Sequence, residues 1–160
     1  MRVDVFLVRH AAAIDETLEL RDPFRHLTAH GRTQARELGD RLRWHDCEPT
    51  HLWTSPLVRA VQTAELVAAG LGATCTIEVA IALSPGEPPR NVVAAINALP
   101  PGSKVMVVGH EPGLSAVAAL LAGDPDMPGI DKAEAVRIID GKLRWRFAWN
   151  AEAPVVEKPA

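Results

Sequence analysis

The sequence has few cysteines and no recognisable metal-binding motif. Cys47 and Cys75 are the only two cysteines among 160 residues, and neither belongs to a Cys-x-x-Cys pair. This usage predicts two reduced thiols, as in an intracellular protein, rather than a disulfide framework. None of the six histidines shows a metal-ligand spacing such as His-Glu-x-x-His. We therefore expect neither a metal nor another cofactor.

Long apolar runs are also missing, and we expect no leader segment. The chain passes from Met1 almost directly into the apolar run 5–8, without the basic region, apolar helix and cleavage site of a secretion signal. The longest largely apolar stretch, 114–122, is much shorter than the about 20 residues that span a bilayer. We expect a cytoplasmic protein without a membrane partner.

Positive charge is not in excess. The formal net charge is −3, whereas binding to a nucleic-acid backbone requires a basic surface. We therefore expect no nucleic-acid partner, and any anion site must be local.

Apolar residues make up 48% of the chain and charged residues 23%, which is typical of a globular protein. We predict one domain over 1–150 and a loose proline-containing tail over 151–160.

Strand and helix patterns alternate along the chain. Four short apolar segments have the pattern of strands: 5–8, 51–54, 76–79 and 105–108. Four longer segments have helical periodicity: 31–43, 56–69, 90–99 and 113–121. This alternation predicts an α/β fold, namely a doubly wound, mostly parallel sheet with helices on both faces. The Asp140-Gly141 pair, between candidate strands 135–139 and 142–149, predicts an antiparallel C-terminal hairpin at one edge.

Four polar side chains occupy positions where such a sheet binds ligands. Arg9 and His10 follow the first strand, His110 follows the strand 105–108, and Arg59 lies early in a helix. The carboxyl ends of parallel strands form one edge of the sheet, and we expect the four side chains to converge there. Guanidinium forks suit phosphate oxygens, and a neutral imidazole can attack phosphorus. Each residue alone is more often a solvated polar side chain, but the combination predicts a phosphoryl-transfer site.

Four motifs extend this pattern over most of the chain. In order, they are Leu7-Val8-Arg9-His10-Ala11, Arg25-x-Leu27-Thr28-x-x-Gly31, Ser55-Pro56-Leu57-x-Arg59-Ala60-x-Gln62-Thr63-Ala64 and Val108-Gly109-His110-Glu111-Pro112. The set resembles the histidine phosphatase superfamily, whose fold is phosphoglycerate mutase-like, and most closely its SixA-type phosphohistidine phosphatases. The resemblance implies a covalent phosphohistidine intermediate on His10, with phosphate held by Arg9 and Arg59. It also implies that His110 stabilises the transferred phosphoryl group.

The same resemblance makes Arg25 and Ser55 candidate substrate-binding residues. From the residues alone, each has a second interpretation. Arg25 is explained equally well as a surface residue that caps a loop. Ser55, which precedes Pro56, has the pattern of a helix N-cap.

One segment departs from the pattern of many superfamily members. After the third predicted strand, Ala82 stands where those members carry a carboxylic acid that protonates an alcohol leaving group. Glu87 is the candidate substitute, although its position beside two prolines suits a solvent-facing loop. General acid catalysis contributes about 10²–10⁴-fold, and a phosphoramidate needs this help less than an alkyl phosphate does. The sequence therefore favours phosphohistidine on a phosphorylated protein as the substrate.

Two alternatives stay open beside this metal-independent phosphohistidine phosphatase. The first is a broad-specificity phosphomonoesterase that acts on small phosphate substrates and uses Glu87 as its acid. The second is a phosphoanion-binding module without catalysis, against which the candidate nucleophile argues, because binding alone needs no nucleophile. We expect a monomer or a weak dimer. Trp145 and Trp149 on the predicted hairpin are explained either by an exposed apolar edge or by core packing.

Overall fold

The computed structural model describes residues 3–157, and its centre is a six-stranded sheet. The strands are β1 (Asp4–Arg9), β2 (His51–Thr54), β3 (Ile77–Val79), β4 (Lys104–Gly109), β5 (Glu134–Ile139) and β6 (Lys142–Ala148). Across the sheet they lie in the order β3-β2-β4-β1-β5-β6. The first four are mutually parallel, while β5 runs antiparallel to β1 and β6 antiparallel to β5. The predicted α/β sheet with an antiparallel hairpin at one edge is confirmed.

Four α-helices connect these strands: α1 (Ala29–Leu42), α2 (Val58–Leu71), α3 (Pro89–Asn97) and α4 (Gly113–Ala122). Two short 3₁₀ turns, Asp22–Phe24 and Ile81–Leu83, lie in the connections after β1 and β3. The Thr28 hydroxyl caps α1 by accepting a hydrogen bond from the amide of Gly31.

The prediction that α2 begins at Pro56 was wrong by two residues. The N-cap of this helix is Leu57 rather than Ser55. Ser55 Oγ accepts a hydrogen bond of 3.2 Å from the Leu57 amide, but this amide lies before the first helical turn. Ser55 therefore satisfies a backbone donor in the turn that precedes α2, not a free amide of the helix itself.

The sheet separates two apolar cores because its central strands are apolar on both faces. Side chains alternate along β1, so that Phe6 and Val8 lie in one core and Val5 and Leu7 in the other. The first core packs against α1 and α2, and the second against α3 and α4. Fully burying a side chain of this kind contributes roughly 1.5–3 kcal/mol. This two-sided burial holds β1 and β4 rigidly at the centre of the fold.

Glycine allows α1 to approach its neighbours closely. A Cβ added at Gly39 would lie 2.3 Å from the carbonyl oxygen of Val67 in α2. A Cβ added at Gly31 would lie 2.0 Å from the carbonyl oxygen of Ala12, in the segment that follows β1. The start of α1 is thus packed directly against the backbone next to His10.

The C-terminal hairpin and the residues after it are tied to the rest of the fold. Trp145 lies half-buried with its ring centroid 6.2 Å from that of Phe6, as core packing requires. In the predicted loose tail, Val155 exchanges backbone hydrogen bonds of 2.8 and 2.6 Å with Arg146 in β6. Residues 158–160 of that tail lie outside the described part of the chain. Within residues 3–157, no helix has both the length and the apolar character that a bilayer crossing requires.

Candidate active site

The two predicted histidines leave the sheet side by side. His10 follows Arg9, the last residue of β1, and His110 follows Gly109, the last residue of β4. Because β1 and β4 are parallel with Arg9 opposite Gly109, both imidazoles emerge at the same edge. Their ring centroids are 5.1 Å apart. Two segments separated by about a hundred positions in the chain therefore form one site.

A backbone hydrogen bond fixes the tautomer of His10. Its Nδ1 lies 2.8 Å from the carbonyl oxygen of Ala11, and a carbonyl can only accept, so Nδ1 carries the proton. Nε2 is left with its lone pair. The Ala11 amide donates to Thr63 Oγ1 at 3.0 Å, and that hydroxyl donates to the Arg59 carbonyl at 2.7 Å. The peptide that orients His10 is thus anchored to α2.

His10 is neutral near pH 7. Burial is the main reason that its pKa falls from 6.5 to about 4; the positive charges of Arg59, Arg9 and Lys132 contribute to this fall, and the hydrogen bond to Ala11 opposes it. A neutral imidazole with one fixed proton and one lone pair has the protonation state of a nucleophile.

His110 is also held by a hydrogen bond on one ring nitrogen. Its Nε2 lies 2.7 Å from Ser55 Oγ, and the Ser55 amide donates to the Val108 carbonyl at 3.0 Å. Burial is the main reason that the pKa of His110 falls to about 3; repulsion between the protonated forms of the two rings and the charge of Arg59 contribute. The ring is therefore neutral, and Ser55, whose role the sequence left open, contacts it directly.

Arg59 lies at the start of α2 and is 94% buried, with a relative exposure of 6%. Its Nη1 donates to the Asp22 carbonyl at 2.9 Å, and its Nη2 lies 3.4 Å from Asp22 Oδ2. Arg25 reaches the same carboxylate, with Nη1 2.9 Å from Asp22 Oδ1. The segment 14–28 therefore folds over the start of α2 through Asp22. Nothing in the sequence pattern indicated this role for Asp22, which becomes visible only when the loop is folded.

Arg9 is held by the segment before β5. Its Nη1 donates to the Ile130 carbonyl at 3.2 Å, and its own carbonyl accepts from the Ala133 amide at 3.1 Å. The Ile130 amide in turn donates to Glu111 Oε2 at 3.0 Å. Lys132 in this segment is exposed, and its charge acts on His10. Lys132 lies in none of the sequence motifs, and the motif that contains Glu111 gave no indication that its carboxylate binds the Ile130 amide.

Buried nitrogens without a hydrogen-bond partner cluster at this edge of the sheet. Among residues 3–157, four buried side-chain atoms are in this state: Arg9 Nε, Arg59 Nε, His110 Nδ1 and Arg146 Nε. Leaving such a group unsatisfied costs about 1–3 kcal/mol. Three of the four belong to the site, two of them on guanidinium groups. An oxyanion with several acceptor oxygens would satisfy the two guanidinium nitrogens, and also His110 Nδ1 in the tautomer that carries the proton there.

A mainly apolar cavity of about 110 Å³ adjoins the site on the side of His110. Ala82 and Glu87 line it, together with His110 and the start of α4. Glu87 is exposed, and within residues 3–157 its carboxylate makes no hydrogen bond. Glu111, the other carboxylate of the cavity wall, is committed to the amides of Ser115 and Ile130. The structure thus brings Glu87 near His110 without joining it to the cluster of arginines.

Comparison with known proteins identifies the family. The model of the histidine phosphatase superfamily (branch 1) matches residues 5–83. An uncharacterized protein of Picosynechococcus sp. is 32% identical over 127 residues, which cover 75% of this chain and 73% of that protein. The chain belongs to the histidine phosphatase superfamily, and this membership supports phosphatase activity.

Solved structures place the chain among the SixA-like members. The protein histidine phosphatase SixA, complexed with tungstate, shares 25% identity at a TM-score of 0.84, over 91% of this chain and 97% of that one. A phosphoglycerate mutase from Bacillus anthracis shares 17% identity at a TM-score of 0.70, over 92% and 93% of the two chains. The second likeness shows the shared fold alone.

Proposed function

We propose that this protein is a phosphohistidine phosphatase of the SixA type that carries the phosphoryl group on His10. The observation that supports this most directly is the arrangement of the two imidazoles. Their centroids are 5.1 Å apart, and within residues 3–157 His10 Nε2 makes no hydrogen bond while Nδ1 donates to the Ala11 carbonyl. The neighbouring Arg9 and Arg59 each keep a buried Nε without a partner.

In the first step, His10 Nε2 attacks phosphorus in line with the bond to the leaving group. A nitrogen–phosphorus bond forms on His10, and the bond to the substrate's imidazole breaks, with its electron pair leaving on that ring. Arg9 and Arg59 donate hydrogen bonds to the phosphoryl oxygens, whose charge is spread over them in the transition state. His110 Nδ1 is the third group available to those oxygens.

In the second step, water attacks the phosphorus of phosphorylated His10. The bond to Nε2 breaks, inorganic phosphate leaves, and His10 regains its lone pair. The hydrogen bond from Nδ1 to the Ala11 carbonyl persists throughout and stabilises the positive charge that develops on the ring. The same two arginines bind the phosphoryl oxygens in both displacements.

We infer phosphohistidine as the substrate because, within residues 3–157, the site has no well-placed carboxylic acid to protonate a leaving group. Ala82 carries no carboxylate, and Glu87 is exposed. An imidazole leaving group requires less protonation than an alkoxide, for which acid catalysis contributes about 10²–10⁴-fold. The likeness to SixA supports the same class.

The direct test is to trap the phosphoryl-enzyme. Protein mixed with a radiolabelled phosphohistidine peptide should yield one labelled species that is acid-labile and base-stable, as phosphohistidine is. His10→Ala should abolish both the label and turnover, with its circular dichroism spectrum unchanged. His51→Ala, at the start of β2, is the matched control and should keep both. Undiminished turnover in the His10→Ala variant would end the proposal, and a protein that binds phosphate without labelling would be a binding module.

A second candidate, a broad phosphomonoesterase, is favoured by one observation, because Glu87 lines the cavity that includes His110. Rates on a phosphohistidine peptide and on an alkyl phosphate separate the two. Our proposal predicts faster turnover of the peptide and no effect of Glu87→Gln on it. If Glu87→Gln abolished a dominant alkyl phosphatase activity, the second candidate would replace the first.

A further inference from the structure

We propose that Asp22 is a positioning residue, whose carboxylate orients Arg59 so that the Nε edge of the guanidinium faces the phosphoryl group. This inference rests on the proposed function, since it assigns to Arg59 the binding of phosphoryl oxygens. In this role, Asp22 itself contacts no reacting atom. Its role is to determine which donors of Arg59 remain available.

Within residues 3–157, the hydrogen bonds of the Arg59 guanidinium all go to Asp22. Nη1 lies 2.9 Å from the Asp22 carbonyl oxygen and 3.3 Å from Oδ1, and Nη2 lies 3.4 Å from Oδ2. Both hydrogen bonds that the Arg59 side chain makes within residues 3–157 go to this one residue. With the side chain buried, Asp22 fixes the rotation of the guanidinium plane.

These contacts occupy only one edge of the guanidinium. The group has five N–H donors in a planar fork, and Asp22 takes its Nη1–Nη2 end. Nε lies on the adjacent edge and is buried without a partner. That edge, formed by Nε and Nη2, has the spacing to hold two oxygens of a phosphoryl group. Asp22 and the phosphoryl group therefore bind different edges and do not compete.

Asp22 is held in turn by its own loop. Arg25 Nη1 lies 2.9 Å from Asp22 Oδ1, and Arg25 Nε donates to the Ile14 carbonyl at 2.6 Å. The Asp22 amide donates to Glu16 Oε2 at 2.7 Å. The hydrogen bond from Arg25 and the charge of Arg59 lower the pKa of the Asp22 carboxyl, against the effect of burial. The carboxylate thus stays ionised while it orients Arg59.

The experiment measures tungstate affinity and kinetics for Asp22→Asn, which keeps the size of the side chain and removes its charge. The Asp22 side chain is 44% exposed, so we expect the variant to fold, with an unchanged circular dichroism spectrum. We expect tungstate to bind about tenfold more weakly, the loss of roughly one charge-assisted contact, and kcat/KM to fall at least as much. Asp15→Asn, an exposed carboxylate of the same segment, is the control and should match the wild type. Asp22→Glu should recover part of the affinity.

A double-mutant cycle separates positioning from a merely structural role. In an Arg59→Lys background there is no Nε edge to orient, so Asp22→Asn should add little further loss of tungstate affinity. An equal loss in both backgrounds, or tighter binding by Asp22→Asn alone, would overturn the inference. The proposed function is tested separately, since labelling of His10 in the wild-type protein does not depend on Asp22. If that labelling failed while the cycle showed coupling, the positioning role would stand and the activity would not.

Discussion

Ser55 Oγ and His110 Nε2 lie 2.7 Å apart and join the ends of β2 and β4. The same hydroxyl accepts from the Leu57 amide at 3.2 Å, so it is held on both sides. Because the contact occupies one ring nitrogen, Nδ1 is the nitrogen of His110 left for a substrate. The orientation of this imidazole therefore depends on a side chain that looked, in the sequence, like a helix cap.

Replacing Ser55 by alanine should reduce kcat more than it raises KM. Without the hydroxyl, the His110 ring loses its only side-chain hydrogen bond within residues 3–157 and can rotate. We expect a fall in kcat of about tenfold and a loss of about 1 kcal/mol in unfolding free energy. Steady-state kinetics on an aryl phosphate and urea unfolding measure the two effects. Ser115→Ala, at the start of α4, is the control, and equal kinetic effects in both variants would contradict this role for Ser55.

The pH dependence of turnover should reflect the low pKa of His10. Burial lowers this pKa to about 4, so the nucleophilic neutral form is present throughout the neutral range. We expect kcat/KM to show no loss from His10 protonation between pH 7 and about 5, and to fall by about tenfold per unit well below pH 4. An acid-stable aryl phosphate is the substrate for this profile. An acid limb centred near 6.5, the ordinary value for histidine, would mean that the site is solvated.

Acid should also destabilise the fold through the same two rings. The pKa values of His10 and His110 are lower in the folded chain than the 6.5 of an exposed histidine. Between pH 6.5 and about 4 the unfolded chain therefore binds protons that the folded chain does not, and stability falls as pH is lowered through this range. For His10 alone, the shift from 6.5 to about 4 corresponds to a total loss of unfolding free energy on the order of 3 kcal/mol.

Urea unfolding between pH 7.5 and 4.5 measures this loss. His10→Asn and His110→Asn each remove one titrating ring. Each variant should lose less unfolding free energy in acid than the wild type, by about the amount that its own ring contributes. His51→Asn should leave the pH dependence as it is in the wild type. A wild-type protein equally stable across this pH range would contradict the prediction.

The close contact between α1 and α2 predicts that a methyl group added at Gly39 strongly destabilises the fold. In Gly39→Ala the new Cβ would lie 2.3 Å from the Val67 carbonyl oxygen, and backbone cannot move aside as a flexible side chain can. We expect a loss of about 1–3 kcal/mol in unfolding free energy, the usual cost of overpacking. In Gly113→Ala the new Cβ would have nothing within 4 Å, so this control should unfold as the wild type does.

Much of the fold could be predicted because its signals are local. The runs 5–8 and 105–108 are apolar at every position, which suits strands buried on both faces. Asp140-Gly141 marked the hairpin because both residues adopt positive φ, of 53° and 73°. The start of α2 was misplaced because Ser55-Pro56 has the pattern of a helix opening, while the Ser55 hydroxyl contacts His110 and the amide of Leu57 instead.

The parts of the site that sequence analysis missed depend on tertiary contacts. Asp22 lies in a segment without helical or strand periodicity. Its role in the site depends on its contact with Arg59, which only the folded chain shows. The charge of Lys132 acts on His10 because β5, which begins just after this lysine, pairs with β1 in antiparallel orientation, which a hairpin signal alone does not specify. Local sequence patterns thus predicted the site residues at the ends of β1 and β4. The loop residues that contact or surround them could be identified only from the folded structure.

The antiparallel direction of β5 also determines how far the Asp140-Gly141 turn lies from the candidate active site. Ile139, just before the Asp140-Gly141 turn, pairs with Asp4 at the start of β1, whereas His10 follows the end of that strand. The six residues of β1, at about 3.3 Å each, separate the turn from His10. A fluorophore or affinity tag inserted at the turn would therefore lie far from the candidate active site, which makes this turn the place to label the protein for binding assays.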